Sequence, residues 1–231
     1  MRRFVPLTVL VGLLVVTASQ AEFVVFTDRT KFEESSYHEK TIDFEGIAVP
    51  GFQSGFPFKS GLTRQGVNFV GTHTAGTKRY LWVADDEANP SLFDWGSGAV
   101  LYGPSSKQGS DAKITVTLPA GITALGADLM TMQPFASNFV VTLASGDVFH
   151  VKTQDYPHLT FWGIQSTAPI KSLTFSSDNQ SFPMMDNFTF GLATPAPPAV
   201  VLFALGSAGL LAYQRRRRTP PTGSTAATHA D

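Results

Sequence analysis

The stretch Lys113–Pro119, KITVTLP, alternates without a break. Ile114, Val116 and Leu118 fall on one side of an extended chain, Thr115 and Thr117 on the other. Short apolar runs of this kind recur through residues 22–192, with turn-forming residues roughly every eight to twelve positions, the pattern of an all-β sandwich or barrel. The predicted strands are KTIDFEG, GVNFVG, AVLYG, KITVTLP, ITALGADLM, NFVVTLASG, DVFHVKT, LTFWGIQ, IKSLTFSS and MDNFTFG. FVVTLASGDVFHV reads as a hairpin turning at Ser145-Gly146-Asp147. One short helix is predicted early, in TDRTKFEESS, with Thr27 or Asp28 as its cap, Phe32 as its apolar residue and acids in its first turns.

Such a core must hold without covalent help, because the 231-residue chain contains no cysteine. That also excludes thiolate zinc sites and cysteine nucleophiles. Seventeen of the 19 phenylalanines lie between residues 22 and 192, and most are expected in the core, where each ring buries much area. About 170 residues bury roughly 70% of the unfolded surface, so this span is expected to fold alone. It carries 11 basic and 17 acidic residues, a balance of −6, with no basic cluster. Nucleic acid is therefore not expected as a partner, because phosphate contacts need clustered Lys and Arg.

The two ends have a different composition. Residues 1–21 hold Arg2 and Arg3, an apolar run from Val5 to Val16, and Ser19-Gln20-Ala21, the layout of a secretory signal peptide cleaved before Glu22. The alternative, an uncleaved anchor, meets a core that is short for a membrane span. Near the other end, residues 193–198 include Pro195, Pro197 and Pro198, a stiff spacer. Ala199 to Tyr213 then runs for 15 residues without a charge, and residues 199–214 are predicted as a single transmembrane helix. Arg215, Arg216, Arg217 and Arg218 hold the cytoplasmic side in residues 215–231. A buried C-terminal helix is the alternative, and it leaves the four arginines unexplained.

This order of parts resembles the PEP-CTERM sorting signal of exopolysaccharide-producing Gram-negative bacteria. The matching positions are Pro195-Ala196-Pro197, with alanine where the family has glutamate, then Ala199 to Tyr213, then Arg215 to Arg218. The resemblance implies an exosortase-like membrane protease as partner and an inner-membrane anchor before processing, followed by release to the cell surface or beyond. The stretches Asp43–Gly46, Gly66–Phe69, Thr117–Leu129, Ser145-Gly146, Phe161–Phe175 and Asp186–Gly191 are similar to ectodomains that carry this signal. They imply a jelly-roll sandwich, lectin-like in form, over residues 22–192.

Three places could carry chemistry. Glu45 and Asp186 stand at the ends of the predicted first and last strands, and pairing of those strands would bring them together. With Asp43 and backbone carbonyls they could surround calcium, a hard cation that takes several oxygens. Equally, they are turn-forming residues. The second place is WVADDEANPSLFDWGSG, read as a long loop. Trp82 and Trp95 could stack on sugar faces while Asp85, Asp86 and Glu87 bind hydroxyls; the ordinary reading is a solvated acidic loop with half-buried tryptophans. Adjacent acids in one loop give no fixed separation for glycosidase chemistry. The third place is TQDYPHLTFWG, where Tyr156, His158 and Trp162 make an aromatic edge or simply enter a strand. NQS at Asn179 and NFT at Asn187 match the glycosylation acceptor pattern by chance. The five histidines share no metal spacing, and HExxH, GxSxG, GxGxxG and P-loop motifs are absent. The expectation is a non-enzymatic exported surface or matrix protein associated with exopolysaccharide. The rival readings are a calcium-dependent carbohydrate-binding module and a polysaccharide-acting enzyme.

Overall fold

The computed structural model describes residues 21–48, 56–73, 77–85, 98–103, 113–132, 135–177 and 182–194. The chain divides into two compact units, Met1–Ala193 and Thr194–Asp231. The predicted signal peptide up to Gln20, the spacer from Pro195 onward with Pro197, the apolar helix and Arg215 to Arg218 lie outside the described residues. Among the described residues no helix is long and apolar enough to cross a membrane.

The first unit opens with β1 (Phe23–Phe26), α1 (Arg29–Glu34) and β2 (Ser36–Ile42). Then come β3 (Phe56–Phe58), β4 (Leu62–Arg64), β5 (Val67–His73), β6 (Thr77–Arg79), β7 (Leu81–Asp85) and β8 (Ala99–Tyr102). The second half holds β9 (Lys113–Thr117), β10 (Ala124–Thr131), β11 (Asn138–Leu143), β12 (Val148–Lys152), β13 (Thr160–Ser166), β14 (Ser172–Ser177) and β15 (Pro183–Ala193). An eight-stranded sheet runs β1-β13-β10-β15-β8-β7-β3, with β2 also pairing β15. A seven-stranded sheet runs β12-β11-β14-β9-β5-β4, with β6 also pairing β5. Every pairing is antiparallel.

The alternation seen in KITVTLP decides which side of β9 is dry. Ile114, Val116 and Leu118 are buried in the core between the sheets, while Thr115 is half-buried and Thr117 exposed. Facing them from the larger sheet are Leu101, Leu125, Leu129, Trp162, Ile164, Met185 and Phe188. Phenylalanines fill much of this core. Phe69 meets Phe44 and Phe188 edge-on at 5.5 and 5.3 Å, and Phe139 meets Phe175 at 5.9 Å. Phe135 departs from the expectation and stands 52% exposed. The β11–β12 hairpin forms as the sequence predicts: Leu143 N–H donates to the Asp147 carbonyl, and Gly146 takes φ 98°, a conformation glycine adopts without cost.

The early helix is shorter than TDRTKFEESS and is capped by Asp28, whose Oδ1 accepts from Lys31 N–H at 3.2 Å. Its first turn holds no acid, contrary to expectation; Glu33 and Glu34 fall at its end. Phe32 is fully buried against the outer surface of the larger sheet, edge-on to Phe26 at 5.7 Å and tilted on Phe161 at 5.6 Å. Gly163 makes room for it, since a Cβ there would come within 2.9 Å of Phe32 Cδ2.

Candidate functional site

On β7 and β8 the inward residues Leu81, Val83, Ala99 and Leu101 belong to the intersheet core. Their alternates therefore stand on the outer face of the eight-stranded sheet. That face is not polar. Ala84, Val100, Tyr102, Met130 and Met184 form a second buried cluster, and Trp82, Met132, Tyr156, Leu159 and Phe182 pack against it half-buried. The rings are ordered: Trp82 stacks on Tyr102 with centroids 5.4 Å apart and planes 11° from parallel. Phe182 meets Tyr102 edge-on at 5.8 Å, and Tyr80 lies 5.9 Å from Trp82 at 39°. Burial pushes the Tyr102 phenol far above its ordinary value, so it stays protonated throughout the working range. Tyr80 is 41% exposed, so the row of rings opens to solvent at that end.

A polar cluster occupies another part of the larger sheet, where β10 and β15 place Asp128 opposite Asp186. Two carboxylates in register repel unless something sits between them. Asn187, held at φ 47°, donates through Nδ2 to Asp128 Oδ2 at 3.0 Å and Asp186 Oδ2 at 3.1 Å. Its backbone N–H donates to Asp186 Oδ1 at 2.6 Å. Arg29 completes the cluster from the helix. It pairs with Asp128 at 3.0 Å, donates to the Asn187 carbonyl and to Thr189 Oγ1, and lies 4.6 Å from the Phe161 ring centroid. Every member of this network has its partner, which makes it a fastening for α1.

The side chains predicted for calcium each make contacts within the protein. β2 and β15 do pair, with Ile42 opposite Phe188, as the reading of first and last strands requires. The chain then leaves the sheet, because Phe44 takes φ 60° and Asp43 Oδ1 accepts from Glu45 N–H at 3.2 Å. Glu45 Oε1 accepts from Ala99 N–H at 2.8 Å, over Gly98, where a Cβ would collide with the carboxylate. Asp186 is instead 1% exposed and bonded to Asn187. No group of three or more His, Asp or Glu side chains able to hold a metal occurs among the described residues.

The acidic segment is only partly a loop. Trp82 and Asp85 lie on β7, and Asp85 is 9% exposed at the strand's end, opposite Ala99, instead of in solvent. Asp86, Glu87 and Trp95 lie outside the described residues. The third place separates. Trp162 is a core residue, edge-on to Phe175 at 6.4 Å, while Tyr156 joins the outer cluster. His158 is exposed beside Asp155 at 3.5 Å. Asn187 spends its amide on two carboxylates, and Asn179 lies outside the described residues. Tyr80, Tyr102 and Phe182 were not singled out in the sequence. Only AVLYG, read as a strand, hinted at Tyr102.

No family model and no curated protein matches the chain. Among solved structures, the K2 cleaved adhesin domain of Lys-gingipain aligns over 67% of this chain and 99% of its own, at 13% identity and a TM-score of 0.44. A family 29 carbohydrate-binding module, a mutant made to probe ligand recognition, aligns over 57% of this chain and 98% of its own, at 11% identity and a TM-score of 0.29. A family 61 carbohydrate-binding module in complex with β-1,4-galactotriose aligns over 53% of this chain and 86% of its own, at 14% identity and a TM-score of 0.29.

Proposed function

We propose that this chain is an exported, non-enzymatic surface or matrix protein whose sandwich associates with exopolysaccharide through the outer face of its larger sheet. The observation that carries the reading is the row Tyr80, Trp82, Tyr102 and Phe182. Aromatic side chains lining an outer sheet face, open at Tyr80, offer apolar surface to the C–H faces of sugar rings. Trp82 spends one ring face on Tyr102, so the surface left for a glycan is its edge and the Tyr80 ring. The carboxylates in register support a binding role over glycoside hydrolysis. Asp128 and Asp186 are tied to Arg29 and Asn187, whereas hydrolysis needs an acid and a base free to exchange protons. Delivery rests on the sequence: a signal peptide at 1–21, a proline spacer, an apolar helix and Arg215 to Arg218, cut by an exosortase-like protease and released from the inner membrane. The test is binding of residues 22–193 to purified exopolysaccharide, before and after replacing Tyr80 and Trp82 together by alanine. At about 1–3 kcal/mol lost per stacked ring, by analogy with base stacking on aromatic side chains, affinity falls at least tenfold. Unchanged affinity in a folded variant removes this face from the account.

A further inference from the structure

We infer that the protein forms a two-fold dimer through the edge of β1 that no strand among the described residues pairs, and that this edge pairs with β1 of a second copy. Among the described residues, three of the six exposed large hydrophobic residues lie on the two strands that flank one seam of the sandwich, β1 and β12: Val24 at 52%, Val25 at 47% and Val148 at 50%. The seam is an open cavity of about 470 Å³ where the β1 and β12 edges of the two sheets meet, with Val25, Val148, Phe149, Val151 and Trp162 on its walls. Exposed strand edges are normally blunted by charge, proline or a bulge. The other edges among the described residues are blunted so: β2 carries Glu39, Lys40 and a bulge, β3 holds Pro57, β4 ends in Arg64, β6 ends in Arg79, and β12 carries His150 and Lys152. Phe23-Val24-Val25-Phe26 carries none of these devices.

The hydrogen bonding of β1 selects the partner strand's position. Thr167 N–H donates to the Glu22 carbonyl at 3.1 Å, and Phe23 lies opposite Ser166. Opposed residues alternate between bonded and non-bonded pairs. Glu22, Val24 and Phe26 therefore bond inward to β13, and the N–H and C=O groups of Phe23 and Val25 point outward. A second β1 related by a two-fold axis must bring outward groups to outward groups. Centring on Val25 sets Glu22 opposite Asp28 of the second copy, two like charges face to face. Centring on Val24 pairs Phe23 with Val25 of the second copy and sets Glu22 opposite Phe26, with no clash of charge. The ends are also complementary. Glu22 and Asp147 stand at the start of the β1 and β12 edges, His150 and Lys152 at the far end beside Thr27. An antiparallel two-fold arrangement lays each acidic end against the basic end of the other copy. A four-residue edge buries less than the roughly 800 Å² per partner of a standard stable interface, so the dimer is reversible and favoured by crowding on a surface.

The absence of cysteine makes the test direct. In residues 22–193, which contain every strand and both apolar clusters among the described residues, Val24→Cys places one thiol opposite its own copy. The Cα separation is then about 4.5 Å, within disulfide range. Under mild oxidation it cross-links at least tenfold faster than Ser60→Cys, an exposed position between β3 and β4, the strands that end the two sheets opposite β1 and β12. Val24→Lys lowers the dimer association constant measured by sedimentation about tenfold, with Tm unchanged. A chain monomeric at every concentration, or Val24→Cys cross-linking no faster than Ser60→Cys, overturns the dimer. Faster cross-linking through Val25→Cys overturns the register. A dimer indifferent to Val24→Lys overturns the edge as its site.

Discussion

Replacing Gly163 by alanine puts a methyl group where two rings already sit. Its Cβ would lie 2.9 Å from Phe32 Cδ2 and 3.0 Å from Phe161 Cζ, closer than packed carbon atoms tolerate. Phe161 is half-buried and can yield, whereas Phe32 is fully buried between α1 and the sheet and cannot. Overpacking of this size costs about 1–3 kcal/mol. The alanine recovers about 0.5–1 kcal/mol of strand entropy, so a net loss of about 0–2.5 kcal/mol is expected. In a domain of this length each kcal/mol lowers Tm by about 2–4 °C. The discriminating experiment is a double-mutant cycle by urea denaturation of residues 22–193. Phe32→Ala alone costs about 3–5 kcal/mol by emptying the site. Gly163→Ala added to it should then be neutral or slightly stabilising, since the ring it struck is gone. An equal cost for Gly163→Ala in both backgrounds would falsify the claim that strand glycines hold the helix on the sheet.

Three other outcomes follow from the same geometry. Arg29→Met leaves Asp128 facing Asp186 without its cation and should destabilise the domain by about 1–3 kcal/mol, and Asp128→Asn should recover part of that loss, read as a shift in the urea midpoint. Glu39 sits beside the β2 bulge at His38, with Oε1 buried and without a hydrogen-bond partner; burial chiefly raises its pKa, against a Ser36 hydrogen bond that lowers it, with Glu33 adding to the rise and Arg29 opposing it. The folded state thus binds this proton more tightly than the unfolded chain, so Glu39→Gln should raise Tm at pH 7 and the gap should close as pH falls through the raised pKa. With Asp43 on Glu45 N–H, Glu45 on Ala99 N–H and Asp186 on Asn187, millimolar calcium and chelator should give the same Tm, and a calcium-dependent rise would contradict this.

The strands with the clearest period were legible. KITVTLP and the hairpin at Gly146 declare themselves because local alternation and a turn residue decide them. β7 was not, because WVADDEANP reads as polar loop; its strand character comes from pairing with β8, where Asp85 is covered by tertiary contacts. β1 was missed because FVVF is short and shows no alternation, which is also what leaves it an unguarded edge. Tyr80, Trp82, Tyr102 and Phe182 gather from three strand regions up to about a hundred residues apart, and no local spacing announces that. The Arg29, Asp128 and Asn187 cluster is likewise a product of register, set by the bulge between Gly126 and Asp128.

Intact-mass spectrometry of the protein recovered from the cells' extracellular polysaccharide tests surface delivery and glycan association together. The account predicts a species in that fraction that begins at Glu22 and ends before the apolar run at Ala199. Recovery only as the full chain to Asp231 in the membrane pellet, with none in the polysaccharide, would contradict it.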